Sequence, residues 1–182
     1  MPVIRVIRHS KAIANEQGIL MGRSLKMNSN LSEEGIDIAH QKGRQLKASS
    51  FKPDKVYCSR LNRSIQTAEI ILLELGLSLD LIKLADLDER DFGEYEGRPY
   101  KFVLEAFANY ESDPPTVEPA KDLIVRVLKA FEHIKTEATN ALVISHSSPV
   151  MVMQAAIFYP DKLDKFWELG GPKYCEGFNF SY

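Results

Sequence analysis

The sequence predicts an α/β fold in which a mostly parallel sheet is covered by helices on both faces. Two features predict it. Apolar, β-branched runs at 3–7, 55–58 and 141–144 alternate with longer stretches whose apolar residues recur at helical spacing, the pattern of parallel strands joined by crossover helices. The run Ala141-Leu142-Val143-Ile144 is apolar at every position, as a central strand covered on both sides requires. At 182 residues the chain is long enough to bury one core without disulfides or a structural metal, so residues 1–182 are expected to form a single domain.

Taken in order, Val3-Ile4-Arg5-Val6-Ile7 opens as a strand. The stretch from Ser10 to Asn30 is polar, contains glycine and offers no periodic apolar face, so it is expected to be a long loop. Ser32 suits a helix N-cap, with Glu33 and Glu34 in the first turn where the helix dipole favours negative charge. Ile36, Ala39, Gly43 and Leu46 then carry the periodicity to about Ala48. The strand at 55–58 leads into a helix whose face is marked by Leu61, Ile65, Ala68, Leu72 and Leu75, with Gly76 as its stop. Asp113-Pro114-Pro115 reads as a loop inside the domain. Leu123, Val127, Ala130, Phe131 and Ile134 mark a helix over about 120–137. After the strand at 141–144, Ser148 as cap and Pro149 at the first helical position start another helix, which should reach about Tyr159. Gly177-Phe178-Asn179-Phe180 is a candidate last strand.

Composition narrows the function classes. Hydrophobic residues at 45% and charged residues at 26% describe an ordinary globular chain rather than a disordered or fibrous one. The net charge of −2, with both signs interspersed, provides no field that would gather nucleic acid or anionic lipid. Cys58 and Cys175 form no CxxC pair, which argues against a disulfide framework and a zinc site. Charges interrupt the apolar N-terminal stretch, and no run approaches the ~20 apolar residues of a membrane-spanning helix. The expected location is therefore a reducing cytoplasm, with neither nucleic acid nor a membrane as partner. The oligomeric state is not legible in the sequence.

The chemistry lies where the strands stop. Ile7 runs into Arg8-His9, Cys58 into Ser59 with Arg63 one turn on, and Ile144 into Ser145-His146. Ligands of open α/β sheets sit beyond the carboxyl ends of the strands, so two arginines and two histidines should meet around one crevice, aided by free N–H groups of helix N-termini near Ser59 and Ser148. That is an anion site. Lys11 and Lys26 could add positive charge, whereas His40 and His133 fall within helices and read as structural. No Gly-x-x-x-x-Gly-Lys loop and no Gly-x-Gly-x-x-Gly follows a strand, and Ser145, Ser147 and Ser148 lie outside any Gly-x-Ser-x-Gly elbow. Cys58 precedes an amphipathic helix rather than a phosphate-binding loop. An enzyme and a non-catalytic phosphate-binding module both fit these strand ends.

Arg8-His9-Ser10 with Asn15 resembles the signature of the histidine phosphatase superfamily, the phosphoglycerate mutase-like family, in which Arg-His-Gly is followed by a phosphate-binding Asn. Further segments match in the family's order. Leu31-Ser32-Glu33-Glu34-Gly35 resembles its Leu-Thr-x-x-Gly helix start, and the stretch from Ser59 through Arg63 to Thr67-Ala68 resembles its Ser-x-x-x-Arg-x-x-x-Thr-Ala block. Residues 87–97 resemble the acid-bearing loop, and Val143-Ile144-Ser145-His146 the second-histidine strand. The resemblance implies a three-layer, phosphoglycerate mutase-like fold and a small phosphorylated substrate, with no metal and no cofactor. It makes His9 the nucleophile that carries a phosphohistidine, Arg8, Asn15, Arg63 and His146 the phosphate clamp, and Glu89 the proton donor. Glu94 and Glu96 are neighbouring carboxylates, and the resemblance selects Glu89 among them. Phosphatase is favoured over mutase, because the chain is shorter than a typical mutase and residues 92–100 are similar to the small-molecule phosphatase branch that includes alpha-ribazole phosphatase. Ser10 and Ser147 stand where glycine usually follows each histidine, so a strained loop or a narrowed pocket is expected there. Residues 98–119 are expected to cover the crevice, with Tyr100, Phe102, Phe107 and Tyr110 either facing an organic leaving group or packing within a helix.

Overall fold

In the computed structural model, which describes residues 1–25, 29–107 and 114–182, the expected strands lie together in one five-stranded sheet. β1 (Val3–Arg8), β2 (Lys55–Cys58), β3 (Leu81–Lys83), β4 (Asn140–Ser145) and β5 (Gly177–Ser181) take the order β3-β2-β4-β1-β5. Every neighbouring pair is parallel except β1 with β5, which pairs antiparallel at one edge. The register sets Ile7 beside Ile144 and Cys58 beside Ile144 on the other flank, so the carboxyl ends of β1, β4 and β2 stand side by side.

The helices are α1 (Ile13–Glu16), α2 (Glu33–Ala48), α3 (Asn62–Leu75), α4 (Tyr100–Phe107), α5 (Ala120–Glu137) and α6 (Ser147–Phe158). Strand periodicity of two decides which helices cover which face. Val56, Cys58, Leu142 and Ile144 pack with Leu46, Ala68, Ile71 and Leu72 of α2 and α3. Tyr57, Ala141 and Val143 turn the other way, with Ile4 and Val6, onto Leu123, Val127 and Phe131 of α5 and Val150 and Met153 of α6. Full burial of a large apolar side chain is worth roughly 1.5–3 kcal/mol, so these two clusters fix the three layers. Among the described residues no helix is long and apolar enough to cross a membrane.

Several boundaries follow the sequence and several do not. Ser32 caps α2 as expected, its hydroxyl accepting from Gly35 N at 3.1 Å, and α3 stops at Gly76. Gly35 sits where a Cβ would fall on the Lys11 carbonyl oxygen, so glycine lets α2 approach the loop after β1. The stretch 10–30 is not wholly loop. It holds α1 and two isolated bridges, Ala12 with Leu31 and Ile19 with Pro99, and buries Ala12, Ala14, Leu20 and Met21 without any period that patterning could detect. Helix α6 begins two residues early: His146 occupies the cap position without a side-chain cap bond, and Ser148 and Pro149 lie inside the first turn. A proline there forfeits nothing, because the first N–H groups of a helix have no intrahelical partner. The edge strand β3 and the 3₁₀ turns over Pro160–Leu169 had no counterpart in the sequence reading. Lys26, Tyr110, Asp113 and the side chain of Phe107 lie outside the described residues.

Candidate active site

The sheet's carboxyl edge opens into a cleft of about 1000 Å³ whose lining includes Arg8, His9, Asn15, Arg63 and Glu89. His9 comes from the end of β1 and is 3% exposed. Its Nδ1 lies 2.6 Å from the Ser10 carbonyl oxygen, which can only accept, so Nδ1 carries the proton. Burial, then the charges of Arg63 and Arg8, lower the His9 pKa well below 6.5, outweighing the Ser10 bond. The ring is therefore neutral, and Nε2 keeps a lone pair, which faces Arg63 Nε at 3.3 Å.

His146, from the end of β4, is fully enclosed with its ring centroid 4.9 Å from that of His9. Burial, followed by Arg63, His9 and Arg8, holds it neutral as well. Ser59 Oγ accepts from Leu61 N at 3.3 Å and lies 2.6 Å from His146 Nε2. Nε2 is the one acceptor within reach of the Ser59 hydroxyl proton among the described residues, so that proton is assigned to Nε2 and the single ring proton of the neutral His146 to Nδ1, which has no partner among the described residues. The two imidazoles present opposite chemistry: a lone pair on His9 and an N–H on His146.

Each guanidinium is anchored through one terminal nitrogen and keeps another N–H group, Arg8 Nε or Arg63 Nη1, unpartnered among the described residues. Arg63, on the first turn of α3, donates through Nη2 to the Gly22 carbonyl at 3.0 Å while Nη1 is unpartnered among the described residues. Burial, offset in part by Glu89, Glu96 and Asp88, brings its pKa down to about 10, so it stays cationic at neutral pH. Arg8 donates through Nη1 to the Pro172 carbonyl at 2.9 Å, and its guanidinium lies 4.4 Å over the Tyr174 ring. Asn15 accepts from Ala12 N through Oδ1 at 3.0 Å, so its amide N–H groups are free to turn to the cleft it lines.

Glu89 is 6% exposed and lines the same cleft; its Oε1 accepts from Arg90 N at 2.8 Å and from Ser148 N, at the start of α6, at 3.3 Å. The loop that presents it is fixed from two sides. Asp88, fully buried, binds Arg60 N and Nε at 2.9 Å each. Arg126 of α5 donates to the carbonyls of Asp86, Asp88 and Glu89 at 2.8–3.0 Å and pairs with Glu118. Glu94 and Glu96 are placed elsewhere: Glu94 meets Thr116 and Arg98, and Glu96 accepts from Arg23, Ser24 and Phe92 N–H groups.

The expected strain at the two serines is absent. Neither Ser10 nor Ser147 has positive φ. Ser10 is fully buried, its N–H bound to Thr67 Oγ1 at 2.9 Å and its hydroxyl to the Gly35 carbonyl, so it braces β1 against α2 and α3. Ser147 lines the cleft. Lys11 is tied to Glu34 at 2.6 Å rather than turned to the anion site. Of the aromatic candidates, Tyr100 lines the cleft, whereas Phe102 is exposed and outside its lining. His40 pairs with Glu74, and His133 packs its ring against Tyr57, both structural as read. Arg90, Tyr174, Asp88 and Arg126 were missed because each acquires its place only through tertiary neighbours. Asp88 and Arg90 stood in view, flanking Glu89.

A cleft lined by Arg8, His9, Arg63 and Glu89, with the buried His146 ring packed against His9, is built to hold a phosphoryl group. The chain belongs to the histidine phosphatase superfamily (branch 1), whose family model matches residues 4–176. A Hydrogenobacter thermophilus protein provisionally named phosphoserine phosphatase 2 is 32% identical over 156 residues, covering 80% of this chain and 73% of its own. A 2,3-bisphosphoglycerate-dependent phosphoglycerate mutase from Parvibaculum lavamentivorans is 30% identical over 143 residues, covering 72% and 67%. Among solved structures, phosphoglycerate mutase from Bacillus anthracis superposes with a TM-score of 0.81 at 21% identity, over 98% of this chain and 86% of that one. The alpha-ribazole phosphatase from Shigella flexneri gives 0.74 at 23% identity, over 91% and 84%. At such identities the likeness is one of fold, the phosphoglycerate mutase-like α/β fold.

Proposed function

We propose that the protein is a phosphatase that hydrolyses a small phosphate monoester through a phosphohistidine on His9. The proton arrangement of His9 carries this reading: Nδ1–H is fixed on the Ser10 carbonyl, and an unprotonated Nε2 points into a cationic cleft. A phosphoryl group seated there meets the free donors of Arg8 and Arg63, the Asn15 amide and His146 Nδ1–H. Nε2 attacks phosphorus, the bond to the ester oxygen breaks, and Glu89 gives that oxygen its proton. Negative charge developing on the equatorial oxygens is met by fixed guanidinium and imidazole N–H groups, the positive charge that other phosphatases draw from a metal. Water then attacks the phosphohistidine, Glu89 takes its proton, and phosphate leaves a neutral His9.

A phosphoryl-transferring mutase shares every step up to the phosphohistidine, and it is favoured by the relatives named as phosphoglycerate mutases. Rapid quenching with a labelled ester and a chelator present separates the readings. The expected result is acid-labile label on His9 that decays to inorganic phosphate. Label on another residue, or turnover only with a divalent ion, overturns the mechanism, and label passing to added phosphoglycerate instead of water makes the protein a mutase.

A further inference from the structure

We propose that the site prefers esters whose leaving alcohol is bulky, apolar and uncharged, of arylalkyl or long-alkyl character, over esters that carry a carboxylate. The inference rests on the phosphatase reading and concerns the part of the cleft that reading does not use. Beyond the phosphoryl-binding groups the wall is apolar and drawn from several elements: Leu20 and Met21 before α2, Tyr100 of α4, Met151 of α6, and Phe166 and Trp167 of the turns after it. Leu20, Met21, Met151 and Phe166 are nearly buried. Trp167 and Tyr100 are half-exposed and stand where the cleft meets solvent. Trp167 is set edge-on against Phe166, ring centroids 5.2 Å apart, so a rigid aromatic surface faces the cleft without closing it.

Volume and charge point the same way. A cleft of about 1000 Å³ stands at the top of the range for small-molecule sites, ~300–1,000 Å³, and is far larger than a phosphate on a three-carbon acid. Phosphoserine and phosphoglycerate, the compounds in the names of the curated relatives, also carry a carboxylate one or two carbons from the ester oxygen. Here that carboxylate would lie next to Glu89. Arg8 and Arg63 are the cations that act on His9 and belong to the phosphoryl end. Arg90 is the remaining arginine among the described lining residues; its Nε is bound to the Glu118 carbonyl at 2.8 Å and it adjoins Glu89. An apolar chain finds a wall that loses water on contact, whereas a carboxylate set against that wall gives up its hydration, with Arg90 the one further cation among the described lining residues.

The test compares 3-phenylpropyl phosphate with O-phosphoserine, both alkyl esters, so that leaving-group acidity does not set the order. The expected kcat/KM ratio favours the phenylpropyl ester by about 10–100-fold, the range for apolar groups in an apolar pocket. Trp167→Ala should cut kcat/KM for that ester by about 10-fold, mainly through KM, and leave phosphoserine nearly unchanged. Trp167→Phe, which keeps the aromatic face, should recover most of the loss. Faster turnover of phosphoserine or 3-phosphoglycerate, or equal losses on both esters in Trp167→Ala, overturns the inference while the phosphatase reading stands. Failure of every ester to place phosphate on His9 overturns the phosphatase reading and this inference with it.

Discussion

Glu89 differs from an ordinary loop carboxylate in how its two oxygens are used. Oε1 accepts from two backbone N–H groups, Arg90 and Ser148, which fixes the group and leaves Oε2 to hold or release a proton. Glutamine in its place retains a carbonyl oxygen for both bonds, so Glu89→Gln removes the proton donor with little change to the loop. An alkoxide is a poor leaving group, and the variant should lose about 10²–10⁴-fold in kcat on alkyl esters, the usual span for general acid catalysis. An aryl ester with a strongly acidic phenol needs no such help. Its phenol should appear in a burst, followed by slow turnover limited by phosphohistidine hydrolysis. Equal losses on both ester types with no burst would move the acid to another group. At this scale the sequence was informative where a residue sits in a short local pattern: Arg8, His9, Asn15, Arg63, Glu89 and His146 all stand in or directly against the cleft. It was silent on Tyr174, which supports Arg8 from the far end of the chain, and on Asp88 and Arg126, whose partners come from other segments. No spacing encodes a contact between elements.

At the scale of elements, Glu96 ties two loops of the cleft together. Its Oε1 accepts from Arg23 N and Phe92 N and its Oε2 from Ser24 N, at 2.9–3.2 Å. The preceding residue, Gly22, gives its carbonyl to Arg63. A side chain at Gly22 would collide with the Glu96 carboxylate, so the two positions are mutually constrained. Glu96→Gln keeps one acceptor oxygen and sets an amide N–H₂ against the Ser24 N–H. A half-buried donor set against another donor costs up to about 1 kcal/mol, which should appear as a lower urea midpoint with an unchanged m-value. Arg63 then loses its fixed anchor, so KM and the inhibition constant for phosphate should rise more than kcat falls. A variant with wild-type stability and phosphate affinity would show that the loops hold without this carboxylate. The same tie shows why this region was hard to read from sequence. Residues 18–24 are ordered by a carboxylate more than seventy positions away rather than by an apolar period, and β3 and the turns at Pro160–Leu169 are too short, or too irregular, to carry one. The long helices and β1, β2 and β4 were legible because burial on one or both faces imposes their period directly.

For the whole molecule, the strand order matters most, because β2, β4 and β1 are neighbours although the chain visits β3 between β2 and β4. That topology forces Arg63, His146, His9 and Arg8 into one enclosed volume, and the enclosure carries a pH cost. Both imidazoles have native pKa values below 6.5, His9 through burial and then Arg63 and Arg8, His146 through burial and then Arg63, His9 and Arg8. Above about pH 6.5 these rings are neutral in both the native and the unfolded chain and contribute nothing to the pH dependence. Below it the unfolded chain takes up protons that the native state refuses, so stability falls with pH, approaching about 1.4 kcal/mol per pH unit for each imidazole. Urea denaturation at pH 7.5, 6.5 and 5.5 should show a flat upper limb and a steep lower one, and His9→Gln should remove close to half of the histidine contribution. Imidazole nitrogen resonances should keep both rings neutral at pH 5.5. Sulfate, doubly charged throughout this range, supplies the test of cause. Bound between Arg8 and Arg63 it cancels the positive field that adds to burial in keeping the rings deprotonated, so saturating sulfate should make the lower limb shallower as well as raising stability overall. A lower limb of unchanged slope with sulfate bound would assign the pH sensitivity to burial alone, and rings that titrate near 6.5 would remove the neutral nucleophile on which the proposed chemistry depends.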